Sequence, residues 1–307
     1  MEDRLLKPVI SLCLPTNGII EWVFPVLDSI YAQNVAQKKF EVIVTNNGDN
    51  QQFHSMMEKY ESEHENLTYR KTTAFLFDNQ LEALKFARGD FFKFVNHRTL
   101  LTEGSLDYLI KTIEENKEKK PVIYFSNGAL NCDYQCKSFD EFVGCLGRYA
   151  SWTTGVGIWE KDYLRIPDTQ VYDKISPHSA ILFSERHKEN YLICDRQFCQ
   201  EIESDHSKKG KYDLFKAFAV EEVSITQRLY IDGDITASTF KKVKKDYKKC
   251  VADFYWLFCI RKVPCSYDLS GFNDAMGIYF NKYSVILNAY MYGAKRVIQR
   301  LLGRNGK

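Results

Sequence analysis

The alternation of apolar strand-like runs with helix-like segments over the first 125 residues constrains this chain most. Short runs rich in β-branched and aromatic residues predict strands at 9–14, 40–44, 67–71, 91–95 and 122–125. Apolar side chains at helical spacing predict helices at 22–33, 51–63, 79–87 and 103–117. This alternation predicts an α/β fold, a mostly parallel sheet flanked by helices. The loops that follow the strands then meet at one edge, where ligands bind.

The rest of the chain is organised differently. Residues from about 126 to 200 are less regular and rich in Gly, Ser, Trp and Cys, whereas the chain becomes helical and basic from about 211. Residues 241–249 contain six lysines, and the last dozen residues carry Lys and Arg without an acid. We expect a first domain at 1–210, divided into 1–125 and 126–210, and a C-terminal helical extension with a basic tail at 211–307.

Composition excludes several classes of protein. The net charge of +2 is too small to indicate nucleic-acid binding. Nine cysteines without a CxxC pair argue against a zinc ribbon and favour reduced thiols in a cytoplasmic protein. The start lacks the pattern of a secretory signal, and no apolar stretch is long enough to predict a transmembrane helix.

Three segments together resemble a known enzyme family. They are VISLCLPTNGIIEWVFPVLDSIYAQN (9–34), FEVIVTNNGDN (40–50) and DNQLEALKFARGDFFKFVNHR (78–98). Their order and spacing resemble the inverting glycosyltransferases of family 2, which have the GT-A fold. The resemblance covers roughly the first 110 residues and, more weakly, 150–195. It implies that 1–125 is the nucleotide-sugar side and 126–210 the acceptor side.

The resemblance implies a donor site at the loops after the first strands. The residues it assigns to donor binding there are Pro15, Thr16, Asn17, Gly18, Asn46, Asn47 and Asn79. The family has two aspartates where this chain has Asn46 and Asn47. Asparagine side chains can donate and accept hydrogen bonds, so the identity of the base stays open. The alternative interpretation of Asn46-Asn47-Gly48 is a plain type I′ turn.

The family's metal-binding Asp-x-Asp is replaced here by Asn96-His97-Arg98. Hard cations require oxygen ligands, and Arg98 cannot supply one. The usual divalent cation site is therefore absent or rebuilt, with Mg²⁺ or Mn²⁺ left open as cofactor. Our hypothesis is that Arg98, with Asn96 and a protonated His97, stabilises the leaving diphosphate. The alternatives are an ordinary turn at the end of a strand and a catalytically inactive relative.

Candidates for the catalytic base and for acceptor contacts lie downstream. In spacing, Pro177-His178 occupies the place of the Glu-Asp that carries the family's base, and histidine is a competent base near neutral pH. Asp173 is the alternative base, and a cap or surface residue is the other interpretation of His178. Trp152 and Trp159 could stack on an acceptor sugar or could belong to the core.

The function expected from the resemblance is transfer of one sugar, with inversion, from a nucleotide sugar to a glycan acceptor. A polyprenyl-linked acceptor for O-antigen or capsule would place the enzyme at the inner face of the cell membrane. Apolar residues with helical spacing from Tyr279 onward and the basic end fit a membrane surface, or else a packed helix with a solvated tail. The alternatives are a non-catalytic glycan-binding protein in an assembly complex and a nucleotidyltransferase.

Overall fold

The computed structural model describes residues 7–131, 133–202, 207 and 209–301, with side chains through residue 296. Contacts within the chain divide it into two compact units. The first comprises Met1–Phe142 and Tyr149–Ile202, and the second comprises Val143–Arg148 and Glu203–Lys307. The domain boundary expected at residue 210 stays a prediction.

The strands in the described part of the chain form three sheets. A five-stranded sheet has the order β3-β2-β1-β4-β8, a three-stranded sheet has the order β6-β9-β7, and β5 pairs with β10. The strands are β1 Ile10–Thr16, β2 Phe40–Asn46, β3 Leu67–Lys71, β4 Phe91–Phe94, β5 Thr99–Leu101, β6 Val122–Phe125, β7 Tyr134–Cys136, β8 Gly157–Trp159, β9 Tyr191–Cys194 and β10 Cys199–Glu201.

The helices follow the strands in the first unit and dominate the second. They are α1 Ile20–Tyr31, α2 Gln51–Glu63, α3 Asn79–Phe86, α4 Ser105–Glu115, α5 Phe139–Leu146, α6 Glu160–Tyr163, α7 Pro177–Ser184, α8 Leu214–Lys216, α9 Glu222–Ile231, α10 Ala237–Phe254, α11 Phe272–Ala275 and α12 Lys282–Leu301. A π-helical turn at Ala217–Glu221 precedes α9, and another at Tyr255–Ile260 follows α10.

The predicted α/β fold is confirmed. Strands β1 to β4 pair in parallel, and only β8 joins this sheet antiparallel, beside β4. All seven residues of β2 and all four of β4 are buried, as expected for strands covered on both faces. Asn50 is the N-cap of α2, and its side chain accepts a hydrogen bond from Phe53 N at 3.2 Å.

The register of the sheet brings three loops together. Thr16 pairs with Asn46 at the carboxyl ends of β1 and β2, and Cys13 pairs with Phe94 near the end of β4. Because these neighbouring strands are parallel, the loops after β1, β2 and β4 begin at the same edge of the sheet. The residues predicted to bind the donor lie in these loops or in the strand ends that lead into them, except Asn79, which begins α3.

In the second unit, helix α12 packs against α10 and the following π-helical turn. The approach is close: a Cβ at Gly293 would lie 2.4 Å from the Trp256 ring. Val285 and Ala289 are fully buried on this face, so α12 is a packed helix. None of the helices in the described part of the chain is long and apolar enough to cross a membrane. The predicted basic tail at Arg304 and Lys307 lies outside the described residues.

Candidate functional site

The loops after β1 and β2 touch each other at the edge of the sheet. A Cβ at Gly48 would lie 2.0 Å from the carbonyl oxygen of Asn17, so only glycine allows this approach. Gly18 has a φ of +80°, in the left-handed region, and its N–H donates to Thr16 Oγ1 at 3.1 Å. Pro15 is half-buried and Asn17 is exposed. The loop after β1 therefore places Asn17 at the surface above a fixed turn.

Asn46 is fully buried, and both ends of its amide are engaged within the protein. Its Oδ1 accepts from Gly48 N at 2.9 Å, while Nδ2 faces Gly48 O at 3.3 Å and the Tyr69 hydroxyl at 3.5 Å. The side chain therefore shapes the turn, but Asn46, Asn47 and Gly48 all have negative φ, so the turn is not of type I′. This placement does not fit direct contact with a nucleotide.

Asn47 and Asn79 hold neighbouring segments in place. Asn47 Nδ2 donates to Ala74 O at 2.9 Å and to Leu76 O at 3.0 Å. Asn79 is buried, and its Nδ2 donates to Thr16 O at 3.1 Å and to Thr45 O at 2.8 Å. Asn79 therefore ties the ends of β1 and β2 to the start of α3, a positioning task. Asn47 is half-buried, and its Oδ1 accepts no hydrogen bond from any residue that the structure describes.

Asn96, His97 and Arg98 form the turn between β4 and β5. Asn96 N donates to Thr154 Oγ1 at 3.1 Å, and Asn96 Oδ1 accepts from Arg98 N at 3.1 Å. Ile202 N in turn donates to Arg98 O at 2.8 Å. The turn is therefore anchored on both sides, and the one side-chain oxygen that Asn96 could offer a cation is already engaged.

His97 connects this turn to the loop after β1. Its Nδ1 lies 2.8 Å from Thr16 Oγ1, and its ring packs edge-on against Trp22 with centroids 5.1 Å apart. Burial, and then the nearby charge of Arg98, lower the pKa of His97 to about 3. The imidazole is neutral at physiological pH, so the expected protonated form does not fit its surroundings. The neutral His97 Nδ1 can accept a hydrogen bond from the Thr16 hydroxyl, and this bond links the two loops.

Arg98 carries the unpaired charge of the site. Its guanidinium lies 5.4 Å from the centroid of the Trp22 ring, a cation–π arrangement. Its Nε and Nη1 atoms are buried, and neither has a hydrogen-bond partner among the described residues. Buried polar groups are ordinarily paired, so two orphaned donors on one cation indicate a place for an anion.

The residues at this turn do not fit a divalent cation. A guanidinium and a neutral imidazole replace carboxylate ligands, and Asn96 Oδ1 is occupied by Arg98 N. Among the described residues, no group of three or more His, Cys, Asp or Glu could hold a metal ion. A divalent cation therefore has no fitting ligand set at this turn.

A buried lysine beneath the turn was missed because it lies inside an apolar strand. Lys93 in β4 is fully buried, donates to Thr154 O, and lies 4.7 Å from the Phe125 ring centroid and 5.1 Å from that of Phe198. Burial lowers the pKa of Lys93 to about 7. Because Thr154 also accepts from Asn96 N, Lys93 supports the turn that presents Arg98.

His178 lies near the same edge of the sheet but is almost fully buried. It is 3% exposed, and its Nε2 lies 2.9 Å from Ser151 O. A carbonyl can only accept, so Nε2 carries the proton and Nδ1 has the free electron pair. Nδ1 lies 3.1 Å from Gln80 Oε1, which can only accept, and 3.5 Å from Thr153 Oγ1, whose hydroxyl can donate to it. Burial lowers the pKa of His178 to about 4, although the Ser151 hydrogen bond opposes this.

The other predicted residues are spread through the first unit. Asp173 is half-buried in the segment before α7 and accepts from Ile175 N at 3.4 Å. Trp152 is half-buried, with its ring centroid 6.2 Å from that of Phe198. Trp159 is fully buried and donates from Nε1 to Pro121 O at 2.7 Å. Its position does not fit the predicted acceptor role, because no face is accessible to a sugar.

A separate cavity of about 400 Å³ contains none of the predicted residues. Asp162, Glu185 and Lys188 are among its lining residues. Trp159 pairs with Phe91 at the start of β4, so Asp162, which follows Trp159 closely, lies toward the edge opposite Arg98. This cavity therefore does not belong to the site built by the loops.

One family model matches a continuous part of the chain. The model of the family described as glycosyl transferase family 2 matches residues 11–175, which is more than half of the chain. This range includes the loops after β1, β2 and β4, together with Asp173. No curated protein matches the sequence.

Solved structures share the fold at low sequence identity. S. aureus TarS 1–349 in complex with UDP-GlcNAc is 13% identical, with a TM-score of 0.60 over 88% of this chain and 80% of that one. The mannosyltransferase PcManGT from Pyrobaculum calidifontis, in complex with GDP-Man and Mn²⁺, is 14% identical, with a TM-score of 0.55 over 97% of this chain and 88% of that one. These likenesses concern the fold.

Proposed function

The chain belongs to glycosyl transferase family 2, and from this premise we propose that it transfers one sugar with inversion from a nucleotide-sugar donor to a glycan acceptor. The acceptor hydroxyl attacks the anomeric carbon from the face opposite the leaving group. The bond from this carbon to the diphosphate oxygen breaks, and the nucleoside diphosphate leaves with the electron pair. The protein must therefore stabilise negative charge on the leaving group and accept one proton from the acceptor.

Arg98 supports the first requirement, and it is the observation that carries the proposal. Its two orphaned donors lie at the edge formed by the loops after β1, β2 and β4. A guanidinium makes bidentate, charge-assisted hydrogen bonds to phosphate oxygens. In this assignment Arg98 stabilises the developing diphosphate charge, and Asn96 and His97 hold the turn that presents it.

His178 is the proposed base. It is neutral at physiological pH, and the Nε2 proton on Ser151 O leaves Nδ1 as the proton-accepting atom. A base with a pKa of about 4 has the proton affinity of the carboxylate that the family uses at this place. Asp173 is the alternative base, and Trp152 is the remaining candidate for an acceptor contact.

Asn47 supports a preference among donor bases. Its two amide protons are held by the carbonyls of Ala74 and Leu76, so a flipped amide would set oxygen against oxygen. Oδ1 is therefore fixed as an acceptor, like an aspartate oxygen. An acceptor matches the ring N–H of uracil, thymine or guanine, whereas the corresponding ring nitrogen of cytosine is itself an acceptor.

Nucleotide binding tests this function. UDP, dTDP and GDP sugars are expected to include the best ligand, and CDP sugars are expected to bind more weakly. A ligand at a hundredfold excess over its Kd stabilises a protein by about 2.7 kcal/mol, which raises the Tm by about 5 °C. Thermal shift with each nucleotide sugar measures binding. Detection of the nucleoside diphosphate released in the presence of glycan acceptors then measures transfer. A CDP sugar giving the largest shift would refute the role of Asn47, and no binding of any nucleotide sugar would refute the function.

The second unit supports a finer proposal, that the acceptor is lipid-linked and the enzyme works at the inner membrane face. Helix α12 leaves an apolar stripe exposed on the side away from α10. Its side chains are each more than half exposed: Tyr283, Leu287, Tyr290 and Met291. Lys282 and Lys295 are exposed at the two ends of this stripe. An amphipathic helix with basic flanks matches an anionic membrane surface, where O-antigen or capsule precursors would be found.

Vesicle flotation tests the membrane proposal. The full chain is expected to float with vesicles that contain anionic phosphatidylglycerol and to stay unbound with neutral phosphatidylcholine. Replacing Leu287, Tyr290 and Met291 together by Ser is expected to lower binding about tenfold or more, because the buried apolar area is lost.

Substitution of three exposed lysines of α10, Lys241, Lys245 and Lys249, by Gln provides the matched control. It separates a general basic attraction from insertion of the α12 stripe. Equal binding by the wild type and the Ser variant would contradict the proposal. A dimer that dissociates in the Ser variant, seen by analytical ultracentrifugation, would assign the stripe to a second copy of this chain.

A further inference from the structure

An exposed phenylalanine lies beside the proposed donor site. Phe75, in the loop between β3 and α3, is 69% exposed, which makes it the most exposed aromatic side chain of the first unit among the described residues. The ring makes no aromatic contact with another described residue. Exposure of one aromatic ring is common on protein surfaces, so the way the backbone holds it is the more informative observation.

The protein fixes the backbone on both sides of Phe75. Asn47 Nδ2 donates to the carbonyl before it, on Ala74, and to the carbonyl after it, on Leu76. Asp78 N donates to Phe75 O at 3.0 Å and closes the following turn. One side chain from the donor loop thus holds both neighbours of the exposed ring.

The same segment contains backbone strain. Leu76 has a φ of +45°, a left-handed conformation that a branched residue adopts at a cost. Such strain persists where surrounding contacts enforce it, and it is concentrated at functional sites. Here the hydrogen bond from Asn47 to Leu76 O helps to enforce it. The backbone therefore holds an apolar ring in water.

We propose that Phe75 stacks on the base of the nucleotide-sugar donor. The inference rests on the proposed function and names the part of the donor that this loop recognises. Every nucleobase has an apolar π-face. Stacking on an aromatic side chain removes one face of the base and one face of the ring from water. Asn47 then has two tasks: its Nδ2 positions the stacking ring, and its Oδ1 contacts the edge of the base.

Substitution of Phe75 tests the inference. Phe75→Ala is expected to raise the Kd for UDP, and for GDP and dTDP where the wild type binds them, about tenfold. The KM for the donor should rise similarly, while kcat at saturating donor stays within about twofold, because stacking binds the ground state and the transition state equally. Isothermal titration with each nucleotide and steady-state kinetics with the donor measure these values. Leu164→Ala, at a residue 72% exposed elsewhere in the first unit, is the matched control and should change neither.

Phe75→Trp gives a direct readout of stacking. This variant should keep the affinity of the wild type, and UDP should quench the added tryptophan fluorescence beyond the quenching seen in the wild type. If the wild type binds nucleotide and Phe75→Ala binds it equally well, the inference is wrong while the function stands. If the wild type binds no nucleotide and no nucleotide sugar, those of cytidine included, the proposed function itself fails. Quenching of the added fluorescence by a glycan acceptor without nucleotide would overturn the inference by moving Phe75 to the acceptor side.

Discussion

Arg98→Ala is expected to lower kcat with the best nucleotide-sugar donor by about 10²–10³, the cost of removing one preorganised donor to a developing charge. The guanidinium is the only group of the Asn96-His97-Arg98 turn that carries a charge at neutral pH, since His97 is neutral. Arg98→Lys keeps the charge without the bidentate geometry, so its loss should be intermediate. Initial rates at saturating donor, measured with and without a chelator, provide the test.

The fold should survive this substitution, because the two orphaned nitrogen atoms make no hydrogen bond to lose. Arg165→Ala, at an arginine 67% exposed beside the separate cavity, controls for loss of a positive charge. Turnover that requires a divalent cation and is indifferent to Arg98→Ala would contradict the assignment. Full activity of the wild type in the chelator, together with a large loss in Arg98→Ala, would support it.

The charges at the turn favour a cationic side chain over a metal ion. Two carboxylates at positions 96 and 98 would leave the turn with two negative charges, which a divalent cation neutralises. Here the turn carries the single positive charge of Arg98, in partly buried surroundings where a second cation would be repelled. The two other residues of the turn fit this replacement of carboxylates by one cation. Asn96 accepts a hydrogen bond from Arg98 N, His97 is hydrogen-bonded to Thr16, and neither side chain adds a charge.

Much of the first unit was predictable because its elements depend on local periodicity. The helix expected at 51–63 and the strands expected at 67–71 and 122–125 agree in their bounds with α2, β3 and β6. The short strands β5, β7, β8 and β10 were missed. Each has three residues and is defined by a partner distant in sequence, so no alternation pattern reveals it.

The site was less predictable than the fold, because adjacent residues in one motif have different surroundings. Asn46 and Asn47 are adjacent and identical, so the sequence predicts the same role for both. In the structure Asn46 is buried in its own turn, whereas Asn47 donates to the loop between β3 and α3. The lowered pKa of His97 depends on burial and on Arg98, and burial is a tertiary property. Phe75 lies in a segment without a sequence motif. Its role is indicated by the tertiary structure, in which Asn47 donates hydrogen bonds to the carbonyls of both neighbouring residues.

His178→Gln is expected to lower kcat by about 10²–10⁴, the contribution of a general base. Glutamine can keep the hydrogen bond that His178 Nε2 donates to Ser151 O, but it has no basic nitrogen in place of Nδ1. The variant therefore removes the proton acceptor and preserves the main structural contact. Rates at saturating donor and acceptor measure the loss, and the Tm reports whether the fold is retained.

The pH dependence distinguishes a base from a structural histidine. Because burial lowers the pKa of His178 to about 4, the neutral base persists down to that pH, and kcat/KM should fall only as the pH drops through about 4. The unfolded chain takes up the same proton near pH 6.5, so the stability that neutral His178 contributes is present above pH 6.5 and is lost as the pH falls toward 4. In His178→Gln both this fall in Tm and the acid limb of activity should diminish. A variant that loses the Tm dependence but keeps kcat would leave His178 a structural role, and a large loss in Asp173→Asn would then identify Asp173 as the base.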